Sequence, residues 1–474
     1  MRYLAVLAAI CGFCFSSWAS AAPFDELSER LEQFDDEDMP RESRRTDRFA
    51  SQRQTRTADA QESPVPDSAF SKGGQLDNRR DDEGQYDSGR HEGDHYDDGS
   101  VWDETYDDCG GGCAGGWCNW GGCQCRQFYA RAEYLQWWVR GSDTPPLVTT
   151  SPEDTSPQIA GILPAATVLF GNERINTKGR SGGRFTLGYW FDCCDSIGIE
   201  NTFLFLGDAQ QSYQNGTPIL ARPFDNAETG NPDAVLISLP GIVSGNIAVT
   251  SNSKVYGNEV NLRRALYIDG CRRIDLLAGY RFFQMSEQLR IGTNTTSLDP
   301  SSPVTVGTTF NIFDSFHTRS QFNGGQMGIN SQHYFGCWSV DLLAKLALGG
   351  MSQTVTIDGN TIVTPPGGTQ TSNRGGVLAL PSNMGQFTRS RFAVIPEFGV
   401  NLHRQLNPCW KVNLGYTIMV VTNVIRPGDQ IDLNVDPNQF PPPATSGPFT
   451  APAFAFHDSD IWLQGLNVGL EYNY

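Results

Sequence analysis

Cysteines, histidines and regularly spaced charges are the residues of this chain that could do chemistry. Five thiols crowd into the run CGGGCAGGWCNWGGCQC as Cys109, Cys113, Cys118, Cys123 and Cys125. The paired C-x-x-C spacing of a zinc ribbon is missing, so disulfide formation is the leading reading and a metal site the lesser one. Five more, Cys193, Cys194, Cys271, Cys337 and Cys409, stand at or beside short turns between strand-like runs. The histidines (His91, His95, His317, His333, His403 and His457) are scattered without close ligand pairing. No phosphate loop, nucleophile elbow or basic patch for nucleic acid is present. No catalytic, cofactor-binding or metal-ligating residue is assigned, and no enzyme activity or cofactor is expected.

The charges gain meaning from the elements that carry them. From residue 128 onward the chain repeats one pattern: two alternating strands flank a tight turn, and a long polar loop follows. The runs FYARAEYLQWWVRG, RFTLGYWF, SIGIENTFLFL, VYGNEVNLRRALYI, IDLLAGYRFFQMSEQL, QFNGGQMGINSQHYF, WSVDLLAKLALGGMSQ, RSRFAVIPEFGVNLH, WKVNLGYTIMVV and WLQGLNVGLEYNY make ten strands. Each has a period of two, with one apolar and one polar face. The expected fold is all-β: a transmembrane, antiparallel, up-and-down barrel with short periplasmic turns and long outer loops near 142–181, 207–254, 291–319, 355–388 and 425–458. Strand-like runs at 234–250 and 304–312 keep twelve strands open, and Pro396, in mid-strand, predicts a bulge or kink.

The apolar parity of each strand is assigned to lipid, including Tyr134, Trp138, Phe185, Leu187, Phe398, Val400, Leu414 and Tyr416. The other parity lines the lumen with Arg131, Glu133, Arg184, Glu200, Glu259, Arg263, Asp275, Arg281, Asp341, Lys345, Arg391, Glu397, Lys411 and Glu471. A charge facing lipid costs about 2–4 kcal/mol near the midplane, so the lumen is the cheaper place for each. Equal numbers of acids and bases suggest ion pairs. Ten or twelve strands fall between a filled interior and an aqueous channel, which leaves both a packed polar core and a narrow pore open.

Composition agrees. Formal net charge is −18 and hydrophobic residues are 39% of 474. No run of about 18 apolar residues follows the N-terminus, which excludes a helical membrane protein but not a barrel. Residues 1–21 read as a signal peptide, with Arg2, an apolar core and an Ala19-Ser20-Ala21 cleavage site. Residues 22–108 hold 26 acidic against 11 basic side chains and few aliphatics, the composition of a disordered arm. Residues 109–125 form a Cys-rich periplasmic segment and 126–474 the barrel. Either disulfides stay within that segment, or they staple it to the turn cysteines across the barrel mouth.

The closing strand, with Leu470, Tyr472 and the terminal Tyr474, resembles the last strand of bacterial outer-membrane barrels, where it is thought to be the insertion signal. The blocks Tyr129-Ala130-Arg131-Ala132-Glu133-Tyr134-Leu135-Gln136-Trp137-Trp138, Gly183-Arg184-Phe185-Thr186-Leu187-Gly188-Tyr189-Trp190 and Phe322-Asn323-Gly324-Gly325-Gln326-Met327-Gly328 resemble a bacterial family named putative β-barrel porins, number seven in its series. The resemblance implies an outer-membrane barrel passing small solutes or ions, with both termini periplasmic. Its expected partners are outer-membrane lipid and the barrel-assembly machinery, not nucleic acid. Two other roles remain: a non-conducting display or tethering barrel, with envelope partners on the acidic arm, and, as the least favoured, a barrel enzyme around His457-Asp458-Ser459-Asp460.

Overall fold

Alternation of apolar and polar residues over ten runs closes into a single cylinder. The computed structural model describes residues 127–443 and 448–474; the proposed signal peptide, acidic arm and cysteine block lie outside them. The barrel strands are β1 (Phe128–Val139), β2 (Arg180–Trp190), β3 (Ile197–Asn215), β4 (Val243–Ile268), β5 (Arg272–Ser297), β6 (Thr309–Phe335), β7 (Trp338–Thr364), β8 (Gly385–Gln405), β9 (Trp410–Ile425) and β10 (Asp458–Asn473). Each pairs antiparallel with its sequence neighbours, and β10 returns to β1 in the register Ala132↔Leu470, Gln136↔Leu466. The seam finishes with Tyr474 N–H donating to Phe128 O at 2.8 Å.

The ring therefore has ten strands, not twelve. The run at 234–250 divides between a separate short strand, Pro232–Ser238, and the far end of β4; the run at 304–312 ends in the first residues of β6. The long loops are shorter than expected, because their flanks stay in the ladder. β6 and β7 each run 27 residues, about 90 Å of strand. At a tilt near 40° that is more than twice the roughly 25 Å of an apolar band. The wall thus rises well beyond its apolar girdle at the long-loop end. There the strands Val148–Thr150, Thr167–Phe170, Leu220–Asn226, Pro232–Ser238 and Asn434–Val435 form a small second sheet.

Pro396 acts on its neighbour instead of its own strand. Pairing of β8 with β7 runs through Leu346↔Pro396 without a shift. Pairing with β9 starts at Glu397↔Met419 and goes no further outward. Proline has no N–H to continue that edge. Side chains take over: Val394 N–H donates to Thr422 Oγ1 at 2.9 Å, and Asn423 Nδ2 donates to Phe392 O at 2.8 Å. The expected bulge lies in β9, between Val421 and Val424, with Asn423 at φ 58°.

Candidate functional site: the barrel lumen

Inward side chains fill the cylinder in layers. At the short-turn end sits an ionic layer. Arg131 Nε donates to Glu471 at 2.8 Å, and Lys411 Nζ meets the same carboxylate at 3.2 Å. Arg184 binds Glu133 through two bonds of 2.6 and 2.9 Å. Arg263 links Asp275 at 2.7 Å to Glu200 at 3.2 Å. Glu259 takes Arg281 at 2.7 Å and Lys345 at 2.6 Å, and both cations also reach Glu397. Asp341 pairs with His403 at 3.1 Å. Inward glycines make room for these long side chains: a Cβ on Gly469 would lie 2.6 Å from Glu133 Cγ, and one on Gly328 2.7 Å from Lys345 Cγ. A cavity in this layer, lined by Arg131, Glu133, Arg263 and Lys345 among others, measures 60 Å³, room for a few waters.

Above it comes an apolar layer. Leu135, Trp137, Phe283, Phe322, Met351 and Leu463 belong to one cluster drawn from nine of the ten strands, and none of its buried members is more than 4% exposed. Trp137 satisfies its indole N–H on Asn467 Oδ1 at 2.8 Å. Between this cluster and Glu259 and Arg281 lies a cavity of 40 Å³.

A polar belt follows. From the β9 bulge onward the chain leans into the lumen: Gln353 Nε2 donates to Asn423 O at 2.6 Å, and Ile425 N–H to Ser320 Oγ at 3.1 Å. Arg426 then meets Glu287 of β5 in two bonds of 2.7 Å, each side chain 2% exposed. The outermost layer joins inward residues such as Ile291, Phe316 and Ile357 to loop residues Leu147, Phe170 and Leu220. Inside it, Arg222 pairs with Asp314 at 2.6 Å, and Asp314 Oδ1 accepts the N–H groups of Val377, Leu378 and Ala379.

Thirteen of the fourteen lumen residues named from sequence meet in the ionic layer. Arg391 does not. It stands above Pro396 where the wall is open to its side, 55% exposed and 3.8 Å from Asp458. Sequence reasoning missed His403 and Arg273, both polar-parity neighbours of named residues. It also missed Glu287, near the end of a run read as strand, and Arg426, Arg222 and Asp314, which lie in segments read as loops. Among the disulfide candidates Cys409 is corrected, for its thiol is free. Its N–H is held by Asn407 Oδ1 and its carbonyl by Asn473 N–H. It is thereby pinned in its own turn, roughly two strand widths from the next one, beyond the ~7 Å Cα reach of a bridge. In the turn after β2, burial pushes the Asp195 carboxyl up to about 6, against the pull of Arg273.

The model of the family described as "Putative beta barrel porin-7" matches residues 129–474. No curated protein matches the chain. Among solved structures, the outer membrane protease OmpT from Escherichia coli is similar at 11% identity and a TM-score of 0.36, covering 74% of this chain and 98% of its own. A Pseudomonas aeruginosa FadL homologue is similar at 6% identity and a TM-score of 0.20, with 74% and 90% covered.

Proposed function

Since the chain belongs to the putative beta barrel porin-7 family and is an outer-membrane β-barrel, we propose that in this conformation it is a closed barrel: a non-conducting envelope protein whose work is done at its ends. One observation carries this reading. The ionic layer, the apolar layer, the Arg426–Glu287 belt and the capped outer layer follow one another along the lumen. An ion entering would have to displace buried pairs and then cross a dry apolar stretch, and desolvation there costs several kcal/mol.

In this proposal the chain is exported by residues 1–21, the short turns and both termini face the periplasm, and the terminal strand guides assembly. The cysteine block at 109–125 is bridged within itself or to turn cysteines other than Cys409, and the acidic arm is the tether to envelope partners. The role is structural, without catalysis.

A second reading, passive passage of small solutes or ions, is favoured by one feature. Above Pro396 only side chains join β8 to β9, so the segment that leans into the lumen has a free strand edge to return to. Planar-bilayer recording of refolded full-length protein separates the two. Silence from folded barrels supports closure. Ohmic steps would overturn it, and Arg131→Glu would then shift ion selectivity if the path crosses the ionic layer.

A further inference from the structure

The polar belt is not balanced in charge. Arg180, at the start of β2, is 4% exposed. Its Nη1 donates to Ser253 Oγ at 3.1 Å and leans on Ser253 O at 3.4 Å. Its Nε and Nη2 have no hydrogen-bond partner among the described residues. Those two atoms form the side-on edge with which a guanidinium grips an oxyanion. The charged groups whose fields reach it are Glu287, Arg426 and Asp208. Both oxygens of Glu287 are already held by Arg426. Asp208 points to the outer wall, where it is 63% exposed and lies 3.8 Å from Lys254. Two guanidiniums therefore share one buried carboxylate, and the uncompensated one keeps its binding edge unused. A buried cation in that state costs several kcal/mol, while buried donors are nearly always satisfied.

The geometry points to an anion site on the Nε/Nη2 edge of Arg180, taking a small monoanion. Ser253 fixes the guanidinium through Nη1, so the two donors are set before the anion arrives. A single negative charge brings the belt to neutrality: Arg180 and Arg426 against Glu287 and the guest. The site does not depend on whether the lumen conducts, since the Ser253–Glu287 pair beside it lies beyond the Val255–Met285 pair of the apolar layer. The competing occupant is a water bridging Arg180 to the unpartnered Oδ1 of Asn176, whose Nδ2 is held by Ser251 at 2.7 Å.

The test uses the full chain refolded in detergent. Thermal unfolding is followed while chloride replaces gluconate at constant ionic strength. The midpoint should rise by about 2–4 °C and saturate, and the rise should vanish in Arg180→Gln. If that variant does not fold, crystals of the unaltered protein grown in bromide decide the matter: an anomalous peak within hydrogen-bond distance of Nε and Nη2 is expected. A midpoint indifferent to chloride overturns the site, as does a water on that edge in bromide crystals. A bromide peak with no chloride dependence in solution means binding at crystal concentration only, and overturns it equally.

Discussion

The ionic and apolar layers occupy the same cylinder on the same strands, yet they are closed by opposite physics. In the ionic layer, Glu259, Arg281, Lys345 and Glu397 share their contacts, so each member is stable only while the others remain. In the apolar layer, Leu135, Phe322 and Leu463 contribute area independently. One layer gains specificity from mutual dependence, and the other gains bulk stability from additive contacts. The contrast predicts how each fails.

The largest effect should come from Glu259→Ala. It leaves Arg281 and Lys345 facing only Glu397 in a buried site, and a loss of about 3–5 kcal/mol is expected. Urea unfolding of the refolded barrel, followed by tryptophan fluorescence, measures it. Adding Lys345→Met should return part of that loss, because the excess charge leaves with the lysine. If the double variant is as unstable as the sum of its singles, the layer is not a coupled network.

Next comes Leu463→Ala, with an expected loss of about 2–4 kcal/mol from lost contact and the remaining cavity. Combined with Glu259→Ala it should add, since transfer area and ion pairing are separate terms here. A strong coupling between them would merge the two layers into one and end the comparison.

How much of this could be read from sequence follows the same division. Charged residues on the polar parity, such as Arg131, Glu133 and Glu471, betray the ionic layer, because charge on a lipid-facing strand has one cheap place to go. The apolar layer hides. At Leu135, Trp137 and Val139 the lumen face of β1 turns apolar while Gln136 sits on the lipid face, so polarity no longer says which side is in. The belt hides more deeply. Arg426 follows a β9 that parts from β8 opposite Pro396 while staying paired with β10 as far as Ile425, and no local pattern encodes a contact with Glu287, 139 residues away. Pro396 itself was legible as a disturbance, but its effect fell on the adjoining strand, since the missing N–H belongs to the shared edge.

That edge gives a smaller test. Thr422→Val removes the hydroxyl that receives Val394 N–H at 2.9 Å. One unsatisfied backbone donor costs about 1–2 kcal/mol. Hydrogen exchange at Val394 should quicken while exchange in β10 stays unchanged. Faster exchange throughout β9 and β10 would mean that the whole outer wall depends on this bond.

The smallest effect belongs to the short-turn rim, where burial is partial. Asp195 has its carboxyl raised to about 6, first by burial and then by Asp192, with Arg273 opposing. A raised carboxyl binds a proton in the folded state that the unfolded chain has already released. Its contribution is therefore fully present below the ordinary value of 3.8 and is lost as pH climbs through about 6. Near pH 7.5 the ionised group opposes folding. An asparagine in its place would keep the backbone, since that side chain tolerates the positive φ of 53° found here, and would keep the Arg273 bond to the main-chain carbonyl. Asp195→Asn should thus raise the unfolding midpoint at pH 7.5, leave it nearly unchanged at pH 4, and flatten the slope between. An unaltered slope would assign the pH dependence to the ionic layer instead, and would mean that the rim and the lumen interior are not electrostatically distinct.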